Sequence, residues 1–266
     1  MSSGLEVISL KGTLDILRRL SVGEGRFKDL NEVVGNTRTL AKRVMELRAS
    51  HLMEKAGTLY RITDEGFNLI FKVADIEGRP KVEGLREKDL AKVKYEWMRV
   101  SLRRLIEIFS KELGEVLISV VLYGSLVKDT FKLGRSDVDL LYVVEDGVRD
   151  LWAREQELFT LFKSTWEYRA CDYWLRMRGF YGYPDVSVVA LRRSHAQVFQ
   201  PIYLDMLLHK ATLYDRGGFF DGLMSKLKEE LKALGARRVE YADGTWCWFL
   251  KPKADPGELI KIDLGS

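Results

Sequence analysis

The first eighty residues carry short helical and strand patterns in a regular order. Helical spacing covers residues 13–20 and 27–34, and a third pattern places Leu40, Val44 and Leu47 at i, i+4 and i+7. Two strand-like runs joined by a glycine-containing turn follow, and then one more amphipathic helix. The pattern predicts three helices, a β-hairpin with strands at 52–55 and 59–62, and a fourth helix capped by Thr63.

The middle of the chain begins with a stretch rich in helix breakers. Residues 77–84 include two glycines and a proline but few apolar side chains, which indicates a linker. A long helical pattern follows over residues 86–113 and ends at Gly114. This helix either packs within the chain or bridges two subunits, and the sequence leaves both open.

Two apolar, β-branched runs form the centre of the second half. The run 116–123 is typical of a buried strand and stops at Gly124-Ser125, whereas the run 140–144 follows Asp137-Val138-Asp139. Because side chains alternate along a strand, the two aspartates point to the same face. The other predicted elements are an aromatic helical region at 150–177, strands at 185–191 and 211–215, helices at 201–209 and 219–234, and a terminal hairpin around Asp243-Gly244.

The composition is that of an ordinary globular chain of 266 residues with a formal net charge of +4. That charge favours polyanionic partners without approaching the excess of a histone-like protein. Cys171 and Cys247 show no metal-ligand spacing, so we expect neither a zinc site nor a disulfide framework. The sequence contains no signal peptide or membrane-length apolar run, which favours the cytoplasm. Scarce Asn and Gln beside abundant Lys, Arg and Glu are typical of a thermophile.

The Asp-x-Asp pair carries the candidate chemistry. Two carboxylates side by side repel one another unless a cation lies between them. Hard oxygen ligands of this kind suit Mg²⁺ held together with the phosphates of a substrate. The Gly-Ser turn at the end of the preceding strand lets backbone N–H groups approach a phosphate. The sequence contains neither a Walker A motif nor GxGxxG, and His51, His195 and His209 lack a partner at ligand spacing.

The full string from Gly124-Ser125 to Ser136-Asp-Val-Asp-Leu140 resembles the signature of nucleotidyltransferases of the DNA polymerase β type. The minimal nucleotidyltransferases are the most similar members, because they share the form Gly-Ser…Ser-Asp-x-Asp-Leu. Asp129 stands where those enzymes usually have glycine, and the spacer is slightly longer than theirs. The resemblance implies a mixed sheet flanked by helices.

The same resemblance implies roles for individual residues. Asp137 and Asp139 would ligate a pair of Mg²⁺ ions, with Mn²⁺ as an alternative, and a third carboxylate would assist one metal and deprotonate the acceptor. Asp185 fits this third place because it opens a strand, and Asp172 is held in reserve. Lys128 also suits an exposed loop charge, and Ser136 also suits a turn-supporting role. The predicted nucleotide-binding residues are Gly124, Ser125, Lys128 and Ser136.

The N-terminal order of elements resembles the winged helix-turn-helix of archaeal and bacterial regulators, including the string Tyr60-x-Ile-Thr-x-x-Gly66. The resemblance implies that the third helix enters the major groove. The predicted nucleic-acid contacts are Arg38, Thr39, Lys42 and Arg43, whose side chains suit phosphates and guanine edges. Such side chains also occur on a solvated helix face, and some winged helices serve instead in dimerisation or protein docking.

We therefore predict an α/β (α+β) protein with a winged helix at 1–77, a linker at 78–85 and a nucleotidyltransferase domain at 86–266. The predicted activity is transfer of an NMP from an NTP to a hydroxyl, with release of pyrophosphate. Expected partners are the NTP, DNA or RNA through the winged helix, and a second copy in a homodimer, but no membrane. The alternatives are a DNA-binding regulator whose second domain only senses nucleotide, and an antitoxin-like enzyme that modifies a partner protein. The sequence leaves the acceptor open.

Overall fold

The computed structural model describes residues 7, 9–242, 245–253 and 260–265, which form a mixed α+β protein. The contacts within the chain divide it into two compact units. The predicted boundaries at residues 77 and 86 stay a prediction. Unit 1 comprises Met1–Val82, Val93–Ile108 and Glu155–Pro184, and unit 2 comprises Glu83–Lys92, Phe109–Arg154 and Asp185–Ser266.

Unit 1 begins with four helices and a small sheet. The predicted helices and hairpin are present, and the structure adds a two-residue strand too short for a sequence pattern to indicate. The strands pair antiparallel in the order β1-β3-β2. The elements are α1 (Thr13–Leu20), β1 (Gly25–Arg26), α2 (Phe27–Val34), α3 (Thr37–Ala49), β2 (Met53–Ala56), β3 (Leu59–Ile62) and α4 (Asp64–Ile76).

Two side-chain caps and one glycine fix these elements locally. The Asn36 side chain accepts the N–H of Thr39 at 2.9 Å, and the Thr63 hydroxyl accepts the N–H of Gly66 at 3.1 Å. A Cβ on Gly66 would overlap the carbonyl oxygen of Leu52. Glycine at this position therefore lets α4 lie directly against the chain that enters β2.

The helix predicted over residues 86–113 is interrupted, so the prediction of one continuous helix was wrong. The structure contains α5 (Glu87–Leu90) and α6 (Glu96–Leu113) instead. Between them, the Arg99 guanidinium donates to the carbonyl oxygens of Val93 and Lys94 at 2.5 and 3.0 Å. A side chain thus satisfies backbone acceptors at the break, where unpaired carbonyls would otherwise be costly.

The aromatic region at 150–177 is also two helices, α7 (Leu151–Ser164) and α8 (Trp166–Met177). In unit 1, Trp174 stacks on Phe67 of α4 with ring centroids 4.2 Å apart, and Trp166 stacks on Phe71 at 5.1 Å. Trp174 is buried and Trp166 is half-buried, so both rings serve packing within this unit. The packing fixes α4 against α8.

A largely buried ion cluster joins α4 to α6 within unit 1. Asp75 accepts hydrogen bonds from Arg99 Nε at 2.9 Å and from Arg103 Nη1 at 2.6 Å. Burial alone would raise the pKa of Asp75, but the hydrogen bonds and positive charges of the two arginines outweigh it and lower that pKa. The Arg103 side chain is only 6% exposed, so this pairing is a structural contact.

Unit 2 is built on a four-stranded sheet in the order β6-β5-β4-β7. The central strands β4 and β5 are antiparallel, β5 and β6 are parallel, and β4 and β7 are antiparallel. Every residue of β4 is buried. The strands are β4 (Leu117–Tyr123), β5 (Val138–Val144), β6 (Val186–Arg192) and β7 (Ala211–Asp215), and the helices are α9 (Arg193–Ala196), α10 (Tyr203–Met206) and α11 (Phe219–Ala233).

One face of the sheet packs against α10 and α11. Leu141 and Val143 of β5 share a buried cluster with Tyr203, Met206 and Phe220. Since side chains alternate along β5, this is also the face towards which Asp137 and Asp139 point. The Asp137 and Asp139 carboxylates therefore lie at the end of the sheet face that packs against α10 and α11.

A polar cluster anchors α11 to this sheet. The Asp215 carboxylate accepts the Ser119 hydroxyl at 2.6 Å and the N–H of Phe220 at 2.9 Å. Asp221 accepts Lys210 Nζ at 2.7 Å and also pairs with Arg86. Burial would raise the pKa of Asp221, but Lys210 and Arg86 lower it to about 2.

The chain continues into a hairpin of β8 (Arg237–Glu240) and β9 (Trp246–Phe249), which pair antiparallel as predicted. Its predicted turn, Asp243-Gly244, lies outside the described residues. Among the helices that the structure describes, none combines the length and the apolar character needed to cross a membrane.

Candidate active site

The Gly-Ser turn and the Asp-x-Asp strand meet at one end of the sheet in unit 2. In the antiparallel pairing of β4 with β5, Tyr123 lies opposite Asp139. Gly124 follows Tyr123 directly, and the backbone N–H of Ser125 donates a hydrogen bond to the Asp139 carboxylate. The two halves of the sequence motif are thus joined by a direct contact.

Gly124 is required by both backbone and space. Its φ is +72°, which is the left-handed region that favours glycine, and a Cβ at this position would overlap the Asp139 carboxylate. No sequence pattern could reveal this second reason, because it depends on the pairing of β4 with β5.

The loop after the turn is held by its own hydrogen bonds. The N–H of Lys128 donates to the Gly124 carbonyl and that of Thr130 to the Ser125 carbonyl, both at 3.1 Å. Asp129 has φ +63°, so it adopts the left-handed conformation for which glycine is the usual residue. Aspartate tolerates this conformation better than most side chains, which explains how the chain keeps this loop without the expected glycine.

The Ser136 hydroxyl closes the far side of the same loop. It accepts the backbone N–H of Lys132 at 3.0 Å, while the N–H of Ser136 donates to the Lys132 carbonyl at 2.9 Å. This pairing matches the turn-supporting role considered for Ser136. Its predicted contact with nucleotide stays a prediction.

The two aspartates differ in environment. Asp137 is exposed, whereas Asp139 is half-buried. Burial raises the pKa of Asp139, and the neighbouring charge of Asp137 raises it further. The site therefore disfavours two ionised carboxylates in the absence of a cation.

Asp185 lies at the same end of the sheet on the neighbouring strand. In the parallel pairing of β5 with β6, Val138 lies opposite Val186, and the N–H of Val138 donates to the Asp185 carbonyl at 2.8 Å. Asp137 directly precedes Val138, and Asp185 directly precedes Val186. The two aspartates are therefore neighbours across the paired strands, on the same face of the sheet. The reserve candidate Asp172 belongs to unit 1, where it accepts Arg176 Nε and the N–H of Tyr183.

The donor set fits a metal ion that is shared with a substrate. Among the residues that the structure describes, no three His, Cys, Asp or Glu side chains converge closely enough to hold a metal. Mg²⁺, however, commonly binds through one or two carboxylates together with substrate phosphates. The mutual repulsion of Asp137 and Asp139 matches that mode of binding.

Sequence reasoning missed two residues beside this site. Asp205 on α10 pairs with Lys128 across 2.7 Å, and the Lys128 ammonium lies 5.9 Å from the centre of the Trp246 ring. Asp205 stands in a helical pattern with no motif around it, and Trp246 in an ordinary hairpin strand. Both reach the site only through tertiary packing, so no sequence signal could have indicated them.

The predicted nucleic-acid residues on α3 of unit 1 do not share one environment. Arg38 and Lys42 are exposed, and Thr39 is half-buried. Arg43 is largely covered: its Nη1 pairs with Glu46 at 2.6 Å and its Nε donates to the Lys11 carbonyl at 3.2 Å. The freely exposed cations within this predicted set are Arg38 and Lys42.

Comparisons with known proteins bear on the part of the chain that contains the Gly-Ser turn and the Asp-x-Asp strand. The family model of the nucleotidyltransferase domain matches residues 102–176, a span that contains Gly124, Asp137 and Asp139. A search of curated proteins found no match. One solved structure, described as the crystal structure of the toxin-antitoxin with AMP-PNP, is similar at 13% identity and a TM-score of 0.28, over 49% of this chain and 89% of that one.

Proposed function

We propose that this chain is a Mg²⁺-dependent nucleotidyltransferase of the DNA polymerase β type that moves an NMP from an NTP to a hydroxyl. The observation that carries the proposal is the contact of the Gly124-Ser125 turn with Asp139, beside Asp137. The matching nucleotidyltransferase family model supports it.

In this proposal Asp137 and Asp139 would hold Mg²⁺, which would supply positive charge to neutralise the triphosphate. The Gly124-Ser125 turn and Lys128 contact the β- and γ-phosphates. Asp185 takes the proton of the acceptor hydroxyl. The oxygen of the acceptor hydroxyl then attacks the α-phosphorus, the bond from that phosphorus to the oxygen that bridges to the β-phosphorus breaks, and pyrophosphate leaves.

The proposal is tested by pyrophosphate release from each of the four NTPs with Mg²⁺, with and without total cellular RNA. We expect release that falls by at least about 10³-fold in Asp139→Asn, because a shared metal ligand is lost. Glu115→Gln, an exposed carboxylate before the start of β4, is the matched control and should retain full activity. Equal release by wild type and Asp139→Asn would contradict the proposal.

We also propose that α1 to α4 with β1 to β3 form a winged helix that brings the enzyme to DNA or RNA. The order of elements and the exposed cations Arg38 and Lys42 on α3 support this role. The same observation keeps a second candidate open, a DNA-binding regulator whose unit 2 binds nucleotide without turnover. Specific DNA retention without pyrophosphate release would favour that regulator.

A further inference from the structure

Lys128 is held by a carboxylate that no sequence motif includes. Its ammonium lies 2.7 Å from Asp205 Oδ2, and the Lys128 and Asp205 side chains are 27% and 16% exposed. The pair is thus partly withdrawn from water, where an ion pair is screened less than on an open surface.

Both ends of this pair are anchored. Asp205 lies on α10 between Tyr203 and Met206, which are fully buried in the core of unit 2. The N–H of Lys128 is bonded to the Gly124 carbonyl, so its backbone belongs to the proposed phosphate-binding turn. The position of the ammonium is therefore set by the core on one side and by the turn on the other.

Without Asp205, the ammonium would have other carboxylates to pair with. Lys128 and Asp205 both lie close enough to Asp139 to act on its charge, and Asp137 acts on it too. A lysine that paired with Asp137 and Asp139 would take the place where the proposed metal binds. The Asp205 carboxylate competes for the ammonium and offers it a partner 2.7 Å away.

We infer that Asp205 is a positioning residue, which keeps the Lys128 ammonium off Asp137 and Asp139 and presents it to the triphosphate. The inference rests on the proposed nucleotidyl transfer. Asp205 then acts only through Lys128, so its substitution weakens metal–nucleotide binding when the lysine is present and has no further effect when the lysine is absent.

A double-mutant cycle with Asp205→Asn and Lys128→Gln tests this dependence. The probe is Mn²⁺ titrated in the presence of ATP, with the loss of the free Mn²⁺ signal followed by electron paramagnetic resonance. We expect Asp205→Asn alone to weaken Mn²⁺ binding about tenfold, within the range for residues in direct contact, and to change it less than about twofold in the Lys128→Gln background.

If Asp205→Asn weakened Mn²⁺ binding equally in the wild-type and Lys128→Gln backgrounds, the inference would be overturned. Asp205 would then either bind the metal directly or only stabilise the fold. Circular dichroism and Tm identify variants that lose structure. If Asp205→Asn does not fold, Asp205→Glu replaces it in the cycle. Its effect on Mn²⁺ binding must likewise be absent in the Lys128→Gln background.

The outcomes separate this inference from the proposed activity. Coupling in the cycle without pyrophosphate release from any NTP would support the role of Asp205 and overturn the transfer reaction. Pyrophosphate release with an additive cycle would overturn only the role of Asp205. Failure of the wild-type protein to bind Mn²⁺ with ATP would overturn both.

Discussion

The Asp139 carboxylate occupies the space that a Cβ on Gly124 would need. Glycine is therefore needed at position 124 partly to leave room for the Asp139 carboxylate. Because Ser125 also donates its N–H to Asp139, the turn orients the carboxylate as well as making room for it.

Gly124→Ala should disable the site without unfolding the chain. The methyl group would displace Asp139 and would also strain a backbone with φ +72°. We expect pyrophosphate release to fall by more than about 100-fold, since small displacements of reacting groups have effects of that size. Gly147→Ala is the matched control, because its Cβ would meet no atom within 4 Å. Equal activity of the two variants would contradict the contact.

Asp139→Asn should stabilise the metal-free protein while it abolishes activity. Burial and the charge of Asp137 raise the pKa of Asp139, so its ionisation is less favourable in the folded than in the unfolded state. Asparagine removes that charge and can still accept the Ser125 N–H. We expect a small rise in Tm without added metal, because the substitution removes this repulsion. A lower Tm would show that Asp139 is not strained by its neighbours.

Asp75→Asn should destabilise unit 1. The change leaves Arg99 and Arg103 without their shared carboxylate, and Arg103 is nearly buried. Breaking a buried pair typically costs about 3 kcal/mol or more, because the remaining charge stays buried. Tryptophan fluorescence during urea unfolding provides the measurement, since Trp97, Trp166 and Trp174 all lie in unit 1. Glu65→Gln, an exposed acid on the same helix, should change the midpoint little.

Asp221 should contribute to the loss of folding stability at low pH. Its pKa is about 2 in the folded protein against 3.8 for the ordinary carboxyl. The contribution is therefore fully present above pH 3.8 and is lost as the pH falls through about 2. Asp221→Asn should remove about 1 kcal/mol of stability at neutral pH, a figure reduced for solvent screening of this part-exposed pair, and should flatten the profile in that window. Urea unfolding at a series of pH values measures both effects.

Binding of nucleic acid through α3 should depend on Arg38 and Lys42. Each cation that contacts a phosphate adds about 1 to the slope of log affinity against log salt concentration. The Arg38→Ala and Lys42→Ala variants should therefore each lower that slope by about 1. Arg43→Gln is the structural contrast, since Arg43 already pairs with Glu46, and we expect a smaller change. A slope that is unchanged in all three variants would exclude this face of α3.

Features that depend on local sequence, such as strands, could be predicted, whereas features that depend on tertiary contacts could not. Strands β4, β5 and β7 follow from apolar runs, and the common face of Asp137 and Asp139 follows from strand alternation. The break before α6 was missed, because it depends on the Arg99 guanidinium binding carbonyls of the preceding residues. Asp205 was missed for a similar reason, since its nearness to Lys128 arises only when α10 packs on the sheet.

The route of the chain through the two units limits how the protein can be divided. Residues 93–108 and 155–184 complete unit 1 only after the chain has visited unit 2. A fragment that stops at residue 82 would lack Trp166, Trp174 and Arg99, and so would expose the aromatic face of α4 and leave Asp75 without its arginines. Because each unit is assembled from separate segments of the chain, a single truncation cannot yield one unit whole.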